Sequence, residues 1–355
     1  MMALVHGLDR ARLAWLQLLG PLAVPFVRSR ELRSATSLSL SVLVALALTA
    51  LAPLELLALG PIVLGVPHLA ADARYLVVRP GLHRRPAFWL AVAAPLVALS
   101  LTTEPAFGFL AVAGGALALP RAWTARRVLV ALAALGLAAL AWWLPREISP
   151  VMAHVHNVAA VLFFVAWPHL AGRARHLRAG WHLAPLALVV AATIAIFAGV
   201  LDPLARGTGA IETSEGLGTP LWVHLATLSP AWLEAGPDLG LRFVLFFAFA
   251  QSVHYGVWLR AVPEEDRARP TPRTFRASVE ALREEGSLGV IVAFAVAALG
   301  LAVWAAFDLY EARFGYLRGA LFHGYLELAI AAALLAGPEA RLARLSPAPL
   351  RPSPR

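Results

Sequence analysis

Gly65-Val66-Pro67-His68-Leu69-Ala70-Ala71-Asp72 places an imidazole and a carboxylate four residues apart, on one face of a helix. The stretch lies within an apolar run over about 54–79, long enough to cross ~30 Å of hydrocarbon. An ionisable pair at that depth is costly and is kept mainly where it has a task. Three further apolar runs carry a histidine at similar depth: His156, His254 and His323. At about 1.5 Å per residue, each of the four lies within roughly 6 Å of the midpoint of its run. Only a folded bundle brings them together, as in bundles that hold a metal between facing helices.

Each histidine also has a polar companion at helical spacing. Asp72 follows His68 by four, Asn157 adjoins His156, Gln251 precedes His254 by three and Glu327 follows His323 by four. A metal-bound imidazole donates its second N–H to such a group, which fixes the tautomer and raises basicity. A lone intramembrane histidine is explained as well by an interhelical hydrogen bond, worth only about 0.6 kcal/mol on average. Four at one depth, each with a companion, point instead to one shared site. The expected metal ligands are His68, His156, His254 and His323, with Asp72, Glu327 and Gln251 as catalytic or supporting groups. With no cysteine in the chain, such a site must use nitrogen and oxygen ligands.

His154 shares a His-Val-His with His156 but points about 200° away around the helix, so it is a fifth candidate or an interface residue. His83, His169, His176 and His182 fall among arginines, where lipid-headgroup contact is expected. His224 lies in a polar loop as a possible lid residue. Trp167, Trp181, Trp222 and Trp232 fit an interfacial belt. Phe163, Phe164, Phe246, Phe247, Phe249, Tyr255, Phe322 and Tyr325 are candidates to line a tunnel for a long apolar substrate.

The elements that position these groups follow from composition. The 355 residues are 60% hydrophobic and 14% charged, against about 25% charged in soluble domains. Apolar runs recur without the short alternating pattern of a transmembrane β-barrel. The expected fold is an all-α polytopic transmembrane helical bundle of about ten spans: 36–52, 54–79, 86–102, 105–120, 128–144, 150–171, 183–201, 241–262, 287–307 and 318–336. Residues 1–34 read as an amphipathic N-terminal segment, 35–337 as the transmembrane domain and 338–355 as a disordered tail. Within the domain, 202–240 forms an outer loop with a short helix near 220–228, and 263–285 a charged cytoplasmic loop. Kinks are expected at Pro67 and Pro168.

The net charge of +9 comes from 30 basic residues, all arginine. With ten spans both termini share a side, and roughly 25 of the arginines fall on it, which makes that side cytoplasmic. Orientation in a bacterial inner membrane thus accounts for the basic residues, and nucleic acid is not an expected partner. No nucleoside-triphosphate loop, dinucleotide fingerprint or serine-hydrolase elbow occurs.

The Pro67-His68-x-Ala70-x-Asp72 pattern resembles a signature of the Brp/Blh family of membrane-bound β-carotene cleaving dioxygenases. His156-Asn157 resembles that family's second histidine helix, and Phe247 to Tyr255 its aromatic-rich His-Ser-x-x-His helix. The likeness covers about a quarter of the chain. Gln251 stands where the family has the first histidine of that pair, Ala73 follows Asp72 where the family has another, and His323 would supply the fourth ligand. The resemblance implies non-haem Fe(II) held by four histidines and oxidative cleavage of a carotenoid-like substrate. Joined to this resemblance, the buried histidines make the leading expectation an iron-dependent oxygenase acting on a hydrophobic carotenoid-like or lipid molecule that enters from the bilayer. A haem-binding redox protein with paired axial histidines and a proton-coupled transporter with a His and Asp/Glu relay are the alternatives.

Overall fold

The computed structural model describes residues 2–119, 124–170, 180–209, 211, 220–229, 237–267 and 271–337. The fold is all-helical, with no strand among the described residues. Among the described residues, thirteen of the helices organise it. They are α1 (Met2–Leu19), α2 (Arg30–Leu51), α3 (Pro53–Val78), α4 (Pro86–Thr102), α5 (Pro105–Ala118), α6 (Ala125–Trp143) and α7 (Pro145–Leu170). There follow α8 (Leu183–Phe197), α9 (Leu221–Leu228), α10 (Pro237–Gly256), α11 (Phe275–Glu284), α12 (Leu288–Phe307) and α13 (Leu309–Ala336).

Local chemistry sets many of the boundaries. Pro53, Pro86, Pro105 and Pro145 open helices, where a missing N–H costs nothing. Ser29, Thr124, Thr274 and Asp308 cap α2, α6, α11 and α13 by accepting from the backbone N–H groups of Leu32, Arg127, Ala277 and Glu311. The Ser29 cap starts α2 at Arg30, six residues before the expected start of the first span. The Asp308 cap likewise starts α13 nine residues before the expected 318.

Among the described residues, six helices (α2, α3, α6, α7, α12 and α13) are long and apolar enough to cross a membrane, and α4, α5 and α8 are shorter apolar helices. α12 has no buried residue and exposes Val292, Val296, Leu299, Val303 and Phe307. Phe294, Ala298 and Leu301 pack against Val66, Leu69 and Tyr316, and the remaining apolar face of α12, uncovered by protein, is matched by lipid as its solvent.

The core has a large cluster joining α5, α6, α7 and α13 through Ala111, Ala134, Phe163, Ala329 and Ile330. A second joins α2, α8 and α10 through Val42, Ile196, Leu245 and Phe249. Small residues let the helices approach closely. Trp167, expected at an interface, is 2% exposed and packs edge-on against Tyr75 and Trp258. Trp181 and Trp222 are exposed, as expected, and Trp232 lies outside the described residues.

One end of the bundle is clasped by ions. Glu264 pairs with Arg33 at 2.6 Å and Arg267 at 2.7 Å, Glu285 with Arg74 at 2.9 Å and Arg79 at 3.4 Å, and Arg79 also with Asp266. The Asp9 carboxylate of α1 accepts from the N–H groups of Phe275 and Arg276 at the start of α11. The N-terminal segment is therefore tied to the 263–285 loop. His182, expected to meet headgroups, lies with Nδ1 3.3 Å from Glu31. The His169 side chain, His176 and the 338–355 tail lie outside the described residues.

Candidate metal centre

α3, α7, α10 and α13 meet at mid-height, and each brings one histidine there. In α3 the path is irregular, because Pro61 and Pro67 lack the N–H that a regular turn would donate. The backbone answers with a wide π turn at Pro61–Gly65 and a second at Ala73–Val78, bracketing Val66–Asp72. Such insertions re-aim side chains and recur at functional sites. A further π turn, Val257–Ala261, follows His254 on α10. Pro67 is thus absorbed by widened turns within one continuous helix.

The ring centroid of His68 lies 4.8 Å from that of His323 and 5.2 Å from that of His254. His156 lies 5.1 Å from His323 and 5.3 Å from His254, and the last pair is 5.7 Å apart. One ligand nitrogen from each of His68, His254 and His323 falls within 4.8 Å of the others. His156 joins them by edge contacts. The convergence needs a close approach of α7 and α13 at Gly324, where an added Cβ would meet the His156 Cβ at 2.8 Å.

The bonds already made define what remains free. His156 Nδ1 lies 3.1 Å from the Met152 carbonyl, and His323 Nδ1 at 2.5 Å from the Ala320 carbonyl, so both rings keep Nε2 available. Neither ring nitrogen of His68 or of His254 has a hydrogen-bond partner. Asp72 Oδ2 lies 3.9 Å from His68 Nε2, and Glu327 Oε1 lies 3.5 Å from His254 Nε2. All four carboxylate oxygens are buried without hydrogen bonds.

Glu327 stands four residues after His323 on the regular helix Phe322–Ala336 and also reaches across to α10, where its Oε1 lies 3.5 Å from His254 Nε2. Gln251 lines the adjoining cavity, half-way between site and wall. Asn157 donates to the Ala153 carbonyl at 2.9 Å and leaves its side-chain oxygen free.

A cavity of about 280 Å³ adjoins the cluster, touching His156, His254 and His323 and running past Tyr255 and Tyr316 to Arg313. Of the aromatic residues expected to line a tunnel, Phe247, Tyr255 and Tyr325 do so. Phe163 and Phe164 are core residues, Phe246 and Phe249 line a separate apolar groove, and Phe322 packs beside the core. His154 stays apart, with Nε2 2.9 Å from the Leu228 carbonyl. His83 is likewise remote, accepting from Arg84 at 3.3 Å.

Arg313 and Tyr316 were not singled out by sequence. Both read as ordinary residues of an interfacial segment, and only the fold turns them inward. His224 is also buried, 1% exposed, and its pKa is pushed down to about 4 by burial and by the Arg313 guanidinium nearby. It is a neutral residue packed beneath the cavity wall, not an exposed lid residue. No family model, characterised protein or solved structure matches the chain.

Proposed function

We propose that this chain is a membrane-embedded, metal-dependent oxygenase. In this reading non-haem iron is held by His68, His156, His254 and His323, and the substrate is a hydrophobic, carotenoid-like or lipid molecule. The reading includes the ten-span topology, with both termini cytoplasmic in a bacterial inner membrane.

One observation carries it: a fully buried set of imidazole nitrogens and carboxylate oxygens that lack hydrogen-bond partners. Unpaired buried polar groups cost roughly 1–3 kcal/mol each, and buried charges more. A divalent cation offsets that cost by occupying the nitrogens, while two carboxylates balance its two charges in a low dielectric. Imidazole donors suit iron, copper, zinc and nickel, and the resemblance favours iron.

When bound, iron would supply the reaction with dioxygen. The chain's own residues do the rest. The Met152 and Ala320 carbonyls orient His156 and His323. Asp72 and Glu327 hold charge beside His68 and His254. The apolar wall of Phe247, Leu228, Leu317 and Tyr325 receives substrate and limits water. The haem alternative is disfavoured, because imidazoles in edge contact at 4.8–5.7 Å leave no slot for a macrocycle.

The test is metal content by mass spectrometry with an absorption spectrum, on detergent-purified wild type and His68→Ala. About one iron per chain, no Soret band and loss of iron in the variant are expected. A folded wild type that takes up no stoichiometric metal after reconstitution would leave the buried histidines as a relay or as structural bonds.

A further inference from the structure

Arg313 is 6% exposed, lines the cavity that reaches the histidines, and has no carboxylate partner among the described residues. Its Nε donates to the Leu57 carbonyl at 2.9 Å, which fixes the guanidinium plane and turns the two-nitrogen fork away from that bond. Its plane stands beside the Phe314 ring, 5.6 Å from the centroid. A buried arginine is normally paired, since an isolated charge in a low dielectric is strongly unfavourable. The nearby His224 imidazole is neutral or cationic in its ordinary states and so cannot supply the missing negative charge. Two further hydroxyls, of Tyr255 and Tyr316, line the same wall beside one another and Gln251, where one of them can turn its O–H toward a ligand.

We propose that Arg313 binds the carboxylate of an amphipathic, single-chain substrate, whose apolar chain then runs along the cavity to the histidine cluster. A guanidinium fork matches a carboxylate with two parallel hydrogen bonds. A single cation with one hydroxyl donor balances one negative charge and not a phosphate dianion. Arg313 and His323 lie ten residues apart on α13, about 15 Å along the helix axis. That separation makes the arginine a ruler. It selects which position of the chain meets the histidines, while the wall of Phe247, Leu228 and Tyr325 tolerates any apolar chain.

The substrate class rests on the oxygenase reading, but the binding step needs no metal, and so the two can fail separately. The experiment uses the full chain in lipid nanodiscs, stripped with chelator, and titrates spin-labelled stearic acid and its methyl ester by the immobilised fraction of the resonance signal. The acid is expected to bind about ten- to hundredfold more tightly than the ester, the range for hydrogen bonds to a charged group. R313Q should bring acid and ester level, and R313K should keep part of the preference. Equal binding of acid and ester by wild type overturns the proposal even if R313Q fails to fold. So does an acid preference that survives in folded R313Q. An acid preference in a protein that never takes up metal would keep the anchor and remove the oxygenase.

Discussion

Glu327→Gln separates a metal centre from a structural hydrogen bond, because the two predict opposite responses to chelation. Glu327 is fully buried, 3.5 Å from His254 Nε2, and neither of its oxygens has a hydrogen bond. In the stripped protein, replacing a desolvated acid by a neutral amide of the same shape removes a charge from a low dielectric, so stability is unchanged or rises. In the loaded protein the same change removes half of the charge that balances a divalent cation. Loss of a group that supports a metal ligand typically weakens affinity about 10- to 100-fold. Metal stabilises the folded state in proportion to the logarithm of its saturation, so this is about 1.4–2.7 kcal/mol of lost stabilisation. The assay is thermal or denaturant unfolding of wild type and variant, each stripped and reconstituted, with metal content measured on the same samples. The expected result is a variant at least as stable as wild type without metal and less stable with it. A variant destabilised equally in both states would refute the reasoning and identify Glu327 as an ordinary partner of His254.

Two other perturbations test the frame around the site. Gly324→Ala puts a Cβ 2.8 Å from the His156 Cβ, and overpacking of this kind should cost about 1–3 kcal/mol in unfolding and reduce metal retention under chelator competition. Unchanged retention would show that α7 and α13 can part without disturbing the cluster. For His224, the folded pKa of about 4 lies below the model-peptide value of 6.5, so the unfolded chain takes up the proton first as pH falls. Stability from the neutral ring is complete above about 6.5 and is lost down to about 4, by at most about 3 kcal/mol. His224→Leu should flatten that part of the stability–pH curve, and an identical slope in both proteins would contradict the assignment.

The meeting of the four histidines was legible because hydrophobic runs carry an internal scale: position within a run reports depth, and groups at one depth can face one another. Helical character was legible for the same reason, as long apolar runs leave the backbone no other way to satisfy its bonds in lipid. What depth cannot supply is azimuth. Helical spacing sets Glu327 beside His323, but it cannot show that the same carboxylate also meets His254, which arrives on α10 from elsewhere in the chain. The π turns around Pro67 were anticipated only as a kink, because two prolines six residues apart in one helix permit several ways of absorbing the missing donors. Trp167 was placed at an interface from its residue type, whereas its burial depends on Tyr75 and Trp258, which come from other helices. Arg313 escaped notice because an arginine near the start of a span ordinarily reaches for headgroups. Its direction is set by the Leu57 carbonyl on a helix far away in sequence.

His68, His156, His254 and His323 come from α3, α7, α10 and α13, far apart along the chain, and this spacing has a consequence for biogenesis. Helices enter a bilayer in order of synthesis, and contacts between distant parts of the chain form last. The cluster therefore cannot assemble on a nascent protein. Until Phe322–Ala336, which carries both His323 and Glu327, has inserted and Gly324 has settled against His156, three imidazoles and the Asp72 carboxylate sit without their remaining neighbours. Completion of the chain and closure of the centre are one event. A ribosome-released protein lacking its last helix would carry exposed polar groups inside the membrane, which is a feature by which quality-control proteases can tell an unfinished copy from a finished one.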